Sequence, residues 1–277
     1  MKVLYNHYKD KPTIIIGDRI INGCQDFTID QLDDVCNRYD VSSFQKQQVI
    51  DAYNQHMIDG DDNIDQFLKD DQSVHFAIAQ HGNDKHRDVL VNDEDWRVRV
   101  SVARYGNDGH RDVLVNDKEE SVRCNVALYG NDGHRDVLVN DKDWSVRCCV
   151  AQYGNDKHRD VLADDKDWSV RHCVARYGND KHRDVLADDE WGVRRAVAEY
   201  GNDKHRDKLV KDENWHVRRA VAEYGNDKHR DVLINDEDWR VRRCVARYGN
   251  DKHRDILIND ENESVRDSVA QFGNDIK

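Results

Sequence analysis

Eight histidines recur at one register: His86, His110, His134, His158, His182, His205, His229 and His253. Imidazoles in a row suggest a metal ladder or a proton relay, and the spacing argues against both. Units stacked as helical layers lie ~8–10 Å apart, whereas two imidazoles sharing one zinc must each come within ~2.0–2.1 Å of it. No cysteine or second histidine shares the turn inside a repeat. The preferred reading is a histidine that packs or hydrogen-bonds at the same turn in every copy. No metal and no cofactor is assigned.

A second row holds Arg99, Arg123, Arg147, Arg171, Arg194, Arg218, Arg242 and Arg266. Guanidinium groups in line would suit a phosphate backbone. Each is surrounded by Asp and Glu, however, so the row reads as ion pairs with the capping aspartates of the same or the next unit. The cysteines follow the repeat as well. Cys149, Cys173 and Cys244 fill a slot taken elsewhere by Ser101, Ala196 and Ala220, a slot for small residues. Cys124 and Cys148 share the slot before it, one unit apart, a spacing beyond the ~7 Å that a disulfide can span between Cα atoms. Seven cysteines without paired spacing form no disulfide framework.

The elements that carry these rows are tandem repeats. Tyr-Gly-Asn-Asp begins at Tyr105, Tyr129, Tyr153, Tyr177, Tyr200, Tyr224 and Tyr248, and Phe272 opens a last variant. Every step is 24 residues except that from Tyr177 to Tyr200, which is 23. The missing residue falls at Asp188-Asp189-Glu190-Trp191, where a turn absorbs it and a packed helix would not. A degraded copy ends at His81-Gly82-Asn83-Asp84. Within one unit, Asp93 or Asp95 caps a helix beginning near Trp96. Val98, Ser101, Val102 and Tyr105 then share one helical face, and Gly106 is expected as a left-handed C-cap. The stretch His110–Leu114 is short enough for a single 3₁₀ turn, with Val113 and Leu114 completing the core. One such unit cannot bury its face alone, but a stack of eight or nine can.

The run Asp93-Glu94-Asp95-Trp96-Arg97-Val98-Arg99-Val100-Ser101-Val102-Ala103, followed by a turn and a short Leu-containing segment, resembles the leucine-rich repeat variant family. The likeness covers roughly residues 64–277. It implies a mainly α fold, in which α and 3₁₀ layers alternate in a right-handed solenoid of about eight to nine 24-residue repeats. Two departures stand out: Gly-Asn-Asp replaces the prolines that family members often carry in the turn, and only Cys24 and Cys36 precede the array. Two thiols are too few for the four that an iron–sulphur cluster takes.

Residues 1–62 differ in kind. Met1–Tyr8 and Pro12–Asn22 read as short strands with Gly17-Asp18 as a hairpin turn, and Thr28–Arg38 and Ser42–Met57 as capped helices. This small α+β segment either caps the array or is a separate binding module. The cap is favoured, because the open end of a repeat array needs one. Residues 63–277 form the solenoid.

Bulk composition agrees with a folded chain that has a thin core. Charged residues reach 36% and apolar residues 38% of the 277, with one proline, and the mean hydropathy is −0.98. A formal charge of −13 favours protein partners with basic faces over phosphate backbones. No apolar run approaches the ~20 residues of a membrane helix. The expected location is the cytoplasm, of a cell or of an infected host cell.

Positions that change between copies are those the fold does not require. The residue after the ladder arginine runs Val100, Cys124, Cys148, His172, Arg195, Arg219, Arg243 and Asp267, so Arg195, Arg219 and Arg243 make a basic strip. Trp144, Trp168, Trp191, Trp215 and Trp239 form an unbroken run, while Glu120 and Glu263 replace the tryptophan elsewhere. Trp and Arg are the types most enriched at binding hot spots. These eight residues are the candidate partner-binding set. Each tryptophan has a plainer role available, packing over its own helix start or stacking on the ladder arginine three residues later. No phosphate loop, Walker motif or His-Glu-Xaa-Xaa-His occurs. The reading is therefore a non-catalytic protein–protein scaffold, and near-identical copies suit a viral or mobile-element inhibitor that occludes a basic nucleic-acid-handling protein. The alternative is a nucleic-acid-binding solenoid with an Arg-lined concave groove.

Overall fold

The computed structural model of the chain describes residues 2–6, 11–16, 19–21 and 72–273. It divides into two units, residues 1–114 and 115–277. The helices expected over 28–38 and 42–57, the turn at 17–18, the boundary after residue 62, and Cys24 and Cys36 lie outside the described residues.

In the first unit, β1 (Lys2–Asn6), β2 (Lys11–Ile16) and β3 (Arg19–Ile21) form an antiparallel sheet in that order. Lys2 pairs with Ile15 and Ile14 with Ile21, so the stretch read as one strand from Pro12 contributes two. Long helices α1 (Gln72–His81) and α3 (Trp96–Tyr105) pack together, each followed by a short one, α2 (Asp84–Leu90) and α4 (Asp108–Leu114).

The second unit repeats that pair. Its long helices are α5 (Glu120–Tyr129), α7 (Trp144–Tyr153), α9 (Trp168–Tyr177), α11 (Trp191–Tyr200), α13 (Trp215–Tyr224), α15 (Trp239–Tyr248) and α17 (Glu263–Phe272). Between them lie α6 (Asp132–Leu138), α8 (Asp156–Leu162), α10 (Asp180–Leu186), α12 (Asp203–Leu209), α14 (Asp227–Leu233) and α16 (Asp251–Leu257). Each long helix packs on the next long helix, and each short helix on its own. This is a helical repeat solenoid.

One repeat explains the rest. Asp143 caps α7 by accepting the Ser145 N–H. Val146, Val150 and Ala151 are fully buried against the neighbouring long helices, and Leu162 of α8 closes the layer. Burying such a leucine is worth ~2 kcal/mol, so each layer gains most of its stability from the layers on either side. Val161, like Val113 in the first unit, faces outward, and the inner partner of the leucine is the residue after it, Ala163. The turn segment is longer than expected: a seven-residue α-helix replaces the single 3₁₀ turn. Asn155 starts it three residues before the histidine and accepts from the Lys157 and His158 N–H groups, while His158 Nδ1 accepts from the Asn155 N–H. That reciprocal cap satisfies the first turn from both sides.

The glycine before this cap is not left-handed. Gly154 has φ −76° and ψ 177°, a conformation open to any residue. Glycine is needed for space, since a Cβ there would meet Val150 O at 2.6 Å and His158 Nδ1 at 2.8 Å. The 23-residue step falls in the turn before Trp191. Asp189 keeps its ladder role, whereas the residue now preceding the helix, Glu190, makes no side-chain cap.

Candidate interaction surface

The constant rows are consumed by the fold. Arg147 Nε donates to Asp165 Oδ2 at 2.6 Å and Nη2 to Asp165 Oδ1 at 2.9 Å, while Nη1 donates to Asp141 O at 2.7 Å. The same bidentate pairing joins Arg123 to Asp141, Arg171 to Asp189, Arg194 to Asp212, Arg218 to Asp236 and Arg242 to Asp260. Burial pushes the Asp165 carboxyl up, but the Arg147 hydrogen bonds, the Asp167 N–H and the Arg147 charge together hold it below the ordinary carboxylate range. A third row escapes a reading by residue type. Arg159 Nε donates to Ala151 O and Nη2 to Gln152 O, which ties α8 to the open carbonyls of α7.

The histidines are equally internal. His158 is buried and presents Nε2 to Asp136 Oδ1 at 2.9 Å across the repeat boundary, as His182 does to Asp160 and His253 to Asp231. With Nδ1 accepting a backbone N–H, the proton belongs on Nε2. His205, which follows the shortened step, lies 3.3 Å from Asp184 Oδ1, outside hydrogen-bond geometry. Among the described residues, no three metal-ligating groups converge.

The outer face of the long helices behaves differently. Trp144, Trp168 and Trp191 are exposed and Trp215 and Trp239 half-buried, while Arg195, Arg219 and Arg243 are all exposed. The tryptophans do not stack on the ladder arginines, whose guanidinium groups the aspartates hold. Trp191 and Trp215 stack instead on the residue that follows the next repeat's tryptophan. His216 lies between Trp191, 5.0 Å away, and Trp215, 3.6 Å away, with near-parallel rings. Arg240 Cζ sits 4.8 Å from the Trp215 ring and 4.9 Å from that of Trp239. At the preceding step Gly192 occupies this position, and a Cβ there would meet the Trp168 ring at 3.3 Å. The result is a continuous stack, Trp191–His216–Trp215–Arg240–Trp239.

Beside it, Trp215, Trp239, Arg219 and Arg243 line a shallow open depression of about 320 Å³, with Arg247 and Tyr248 at its edge. Four of the eight predicted residues therefore meet there. Trp191 joins through His216, while Trp144 and Trp168 lie apart from the depression. His216 and Arg240 were missed although their column varies as much as the chosen one: the residue after the tryptophan position runs Arg97, Ser121, Ser145, Ser169, Gly192, His216, Arg240, Ser264. Burial first, then the charges of Arg195, Arg219 and Arg240, push the His216 imidazole below its ordinary range. The neighbourhood is locally positive in an acidic chain. Arg219 lies 3.9 Å from Glu223, an exposed pairing of little energy.

The cysteine slots also pair in an unexpected way. Cys148 Sγ lies 3.0 Å from Cys173 Sγ, joining the outer slot of one repeat to the small-residue slot of the next. Cys124 and Cys149 occupy the same two slots one repeat earlier, where Cys124 Sγ lies 3.8 Å from Ser145 Oγ. Comparing like slots, as the sequence invites, overlooks this diagonal.

No protein-family model matches the chain, and no curated protein does. Among solved structures, the fold is similar to one described as a leucine-rich repeat variant with a novel repetitive structural motif. The TM-score is 0.59 at 23% identity, over 73% of this chain and 86% of that one. The chain shares that repeat fold, a scaffold of stacked helical units. No helix among the described residues is long and apolar enough to cross a membrane.

Proposed function

We propose that the chain is a non-catalytic interaction scaffold that binds another protein along the outer face of α11, α13 and α15. The observation that carries this reading is the convergence of Trp215, Trp239, Arg219 and Arg243 on one depression, flanked by Arg195 and the aromatic–cation stack. The partner that fits is an extended segment bearing carboxylates, which the exposed guanidinium groups can take bidentately. The net charge of −13 points towards a basic partner, but charges beyond ~8–10 Å are screened at ordinary salt, so the local arginines outweigh the distant acids. A base-stacking nucleic acid fits this face less well. The stacked rings already cover one another, and Glu223 lies beside Arg219.

A second reading rests on the opposite edge, where Asp136, Asp160 and Asp231 project with side chains 74%, 71% and 71% exposed. That acidic row fits a basic nucleic-acid-handling protein, occluded by an inhibitor of viral or mobile-element type. Titration of the chain with a glutamate-rich peptide, a lysine-rich peptide and a single-stranded oligonucleotide, followed by tryptophan fluorescence, separates these readings. Saturable quenching by the glutamate-rich peptide alone supports the first, and its absence at low salt overturns it.

A further inference from the structure

The diagonal cysteine pair has a chemistry of its own. A disulfide bond is ~2.05 Å long, so Cys148 and Cys173, with sulfurs 3.0 Å apart, need only about 1 Å of closure. Both residues are half-buried. We propose that Cys148 and Cys173 form a modification site for low-molecular-weight disulfides such as glutathione disulfide, which converts them into a cross-link between α7 and α9.

The two thiols divide the work. The sulfur–sulfur contact with Cys148 favours the thiolate at Cys173; burial opposes it, and His172 and Arg176 add to the stabilisation, holding Cys173 below the ordinary thiol range. Cys148 is pushed up by its bond to Cys173, by burial and by nearby negative charge including Asp167. Cys173 is therefore the attacking sulfur and Cys148 the resolving one. The Cys173 thiolate attacks one sulfur of glutathione disulfide, forming a mixed disulfide and releasing one glutathione thiolate. Cys148 then gives up its proton and attacks Cys173 Sγ, expelling the second glutathione. Two protein thiols are oxidised and one glutathione disulfide is reduced to two thiols. Cys148 and Cys149 do not pair with each other, because adjacent helical side chains point apart. Cys244 occupies the same slot as Cys173, but its diagonal neighbour is Arg219, whose carbonyl lies 3.6 Å away. Burial pushes its thiol up to about 12, so it serves as an internal control.

The test treats the full chain with glutathione disulfide, blocks free thiols by alkylation and maps the digested peptides by mass spectrometry. The expected product joins the peptide containing Cys148 and Cys149 to that containing Cys173. It persists in Cys149→Ser and disappears in Cys148→Ser and Cys148→Ala, where Cys173 carries a glutathione adduct instead. In the reduced chain at neutral pH, iodoacetamide should modify Cys173 at least ~10-fold faster than Cys244. A stable glutathione adduct on Cys173 of the unsubstituted chain, a cross-link that survives Cys148→Ser, or thiols that stay free throughout would each overturn the proposal.

Discussion

Arg242 and Arg243 are neighbours in one helix with opposite fates. Arg242 is buried and donates to Asp260, Glu261 and the carbonyls of Asp236 and Glu237. Arg243 is exposed at the depression, with no carboxylate in ion-pair range among the described residues. The first recurs as arginine in every repeat from Arg99 onwards, whereas the second gives way to Val, Cys, His or Asp. The difference teaches where to look in a repeat array: constant groups spend their hydrogen bonds on holding layers together, and variable groups on the same helices keep theirs available.

Substitutions on the constant side should cost stability. Breaking the ladder by Arg147→Met strands the Asp165 carboxylate, whose side chain is 8% exposed, and should destabilise the chain by about 3 kcal/mol in denaturant unfolding. Adding Asp165→Leu should recover most of that loss. If the double variant is as unstable as the single one, the ladder is not the cause. Gly154→Ala forces a Cβ onto Val150 O and should cost about 2 kcal/mol, against near-neutrality for Gly133→Ala, where a Cβ meets only a side-chain oxygen at 3.1 Å. Replacing His158 with Leu leaves the Asn155 N–H without its acceptor and should cost about 1–2 kcal/mol, read as faster amide exchange at the start of α8.

Acid should act on the same side. Asp165, Asp189 and Asp260 are each pushed up by burial and brought below the ordinary range by their arginine partners. A folded-state value below the unfolded one, ~3.9, means the contribution is fully present above that value and lost as pH falls through the folded value. Thermal midpoints should therefore hold steady above pH ~5 and fall below ~4. The fall should be smaller in the Arg147→Met, Asp165→Leu chain.

Much of this was legible from the residues. The period, the Asp caps such as Asp143, the Arg–Asp ladder and the tolerance of the missing residue near Trp191 all follow from local chemistry repeated in register. What escaped was diagonal or reciprocal. His158 caps its own helix through Nδ1, so a segment that looks too short for a helix becomes one. Gly154 answers a steric contact in three dimensions, which a glycine after a helix does not distinguish from a left-handed cap. Cys148 meets Cys173, and Arg240 meets Trp215, because neighbouring helices are offset by about one residue, a shift that column-by-column comparison hides. Half of the candidate surface was found, and His216 and Arg240 would have followed from treating the column after the tryptophan in the same way.

The central claim is that the variable outer face recognises a partner and the constant rows do not. Its most direct test is the triple reversal Arg195→Glu, Arg219→Glu, Arg243→Glu, measured for binding of the glutamate-rich peptide and for thermal stability side by side. The account predicts affinity weakened by ~100-fold or more, with stability within ~0.5 kcal/mol per site of the parent. Unchanged affinity, or affinity lost only because the chain unfolds, would contradict it.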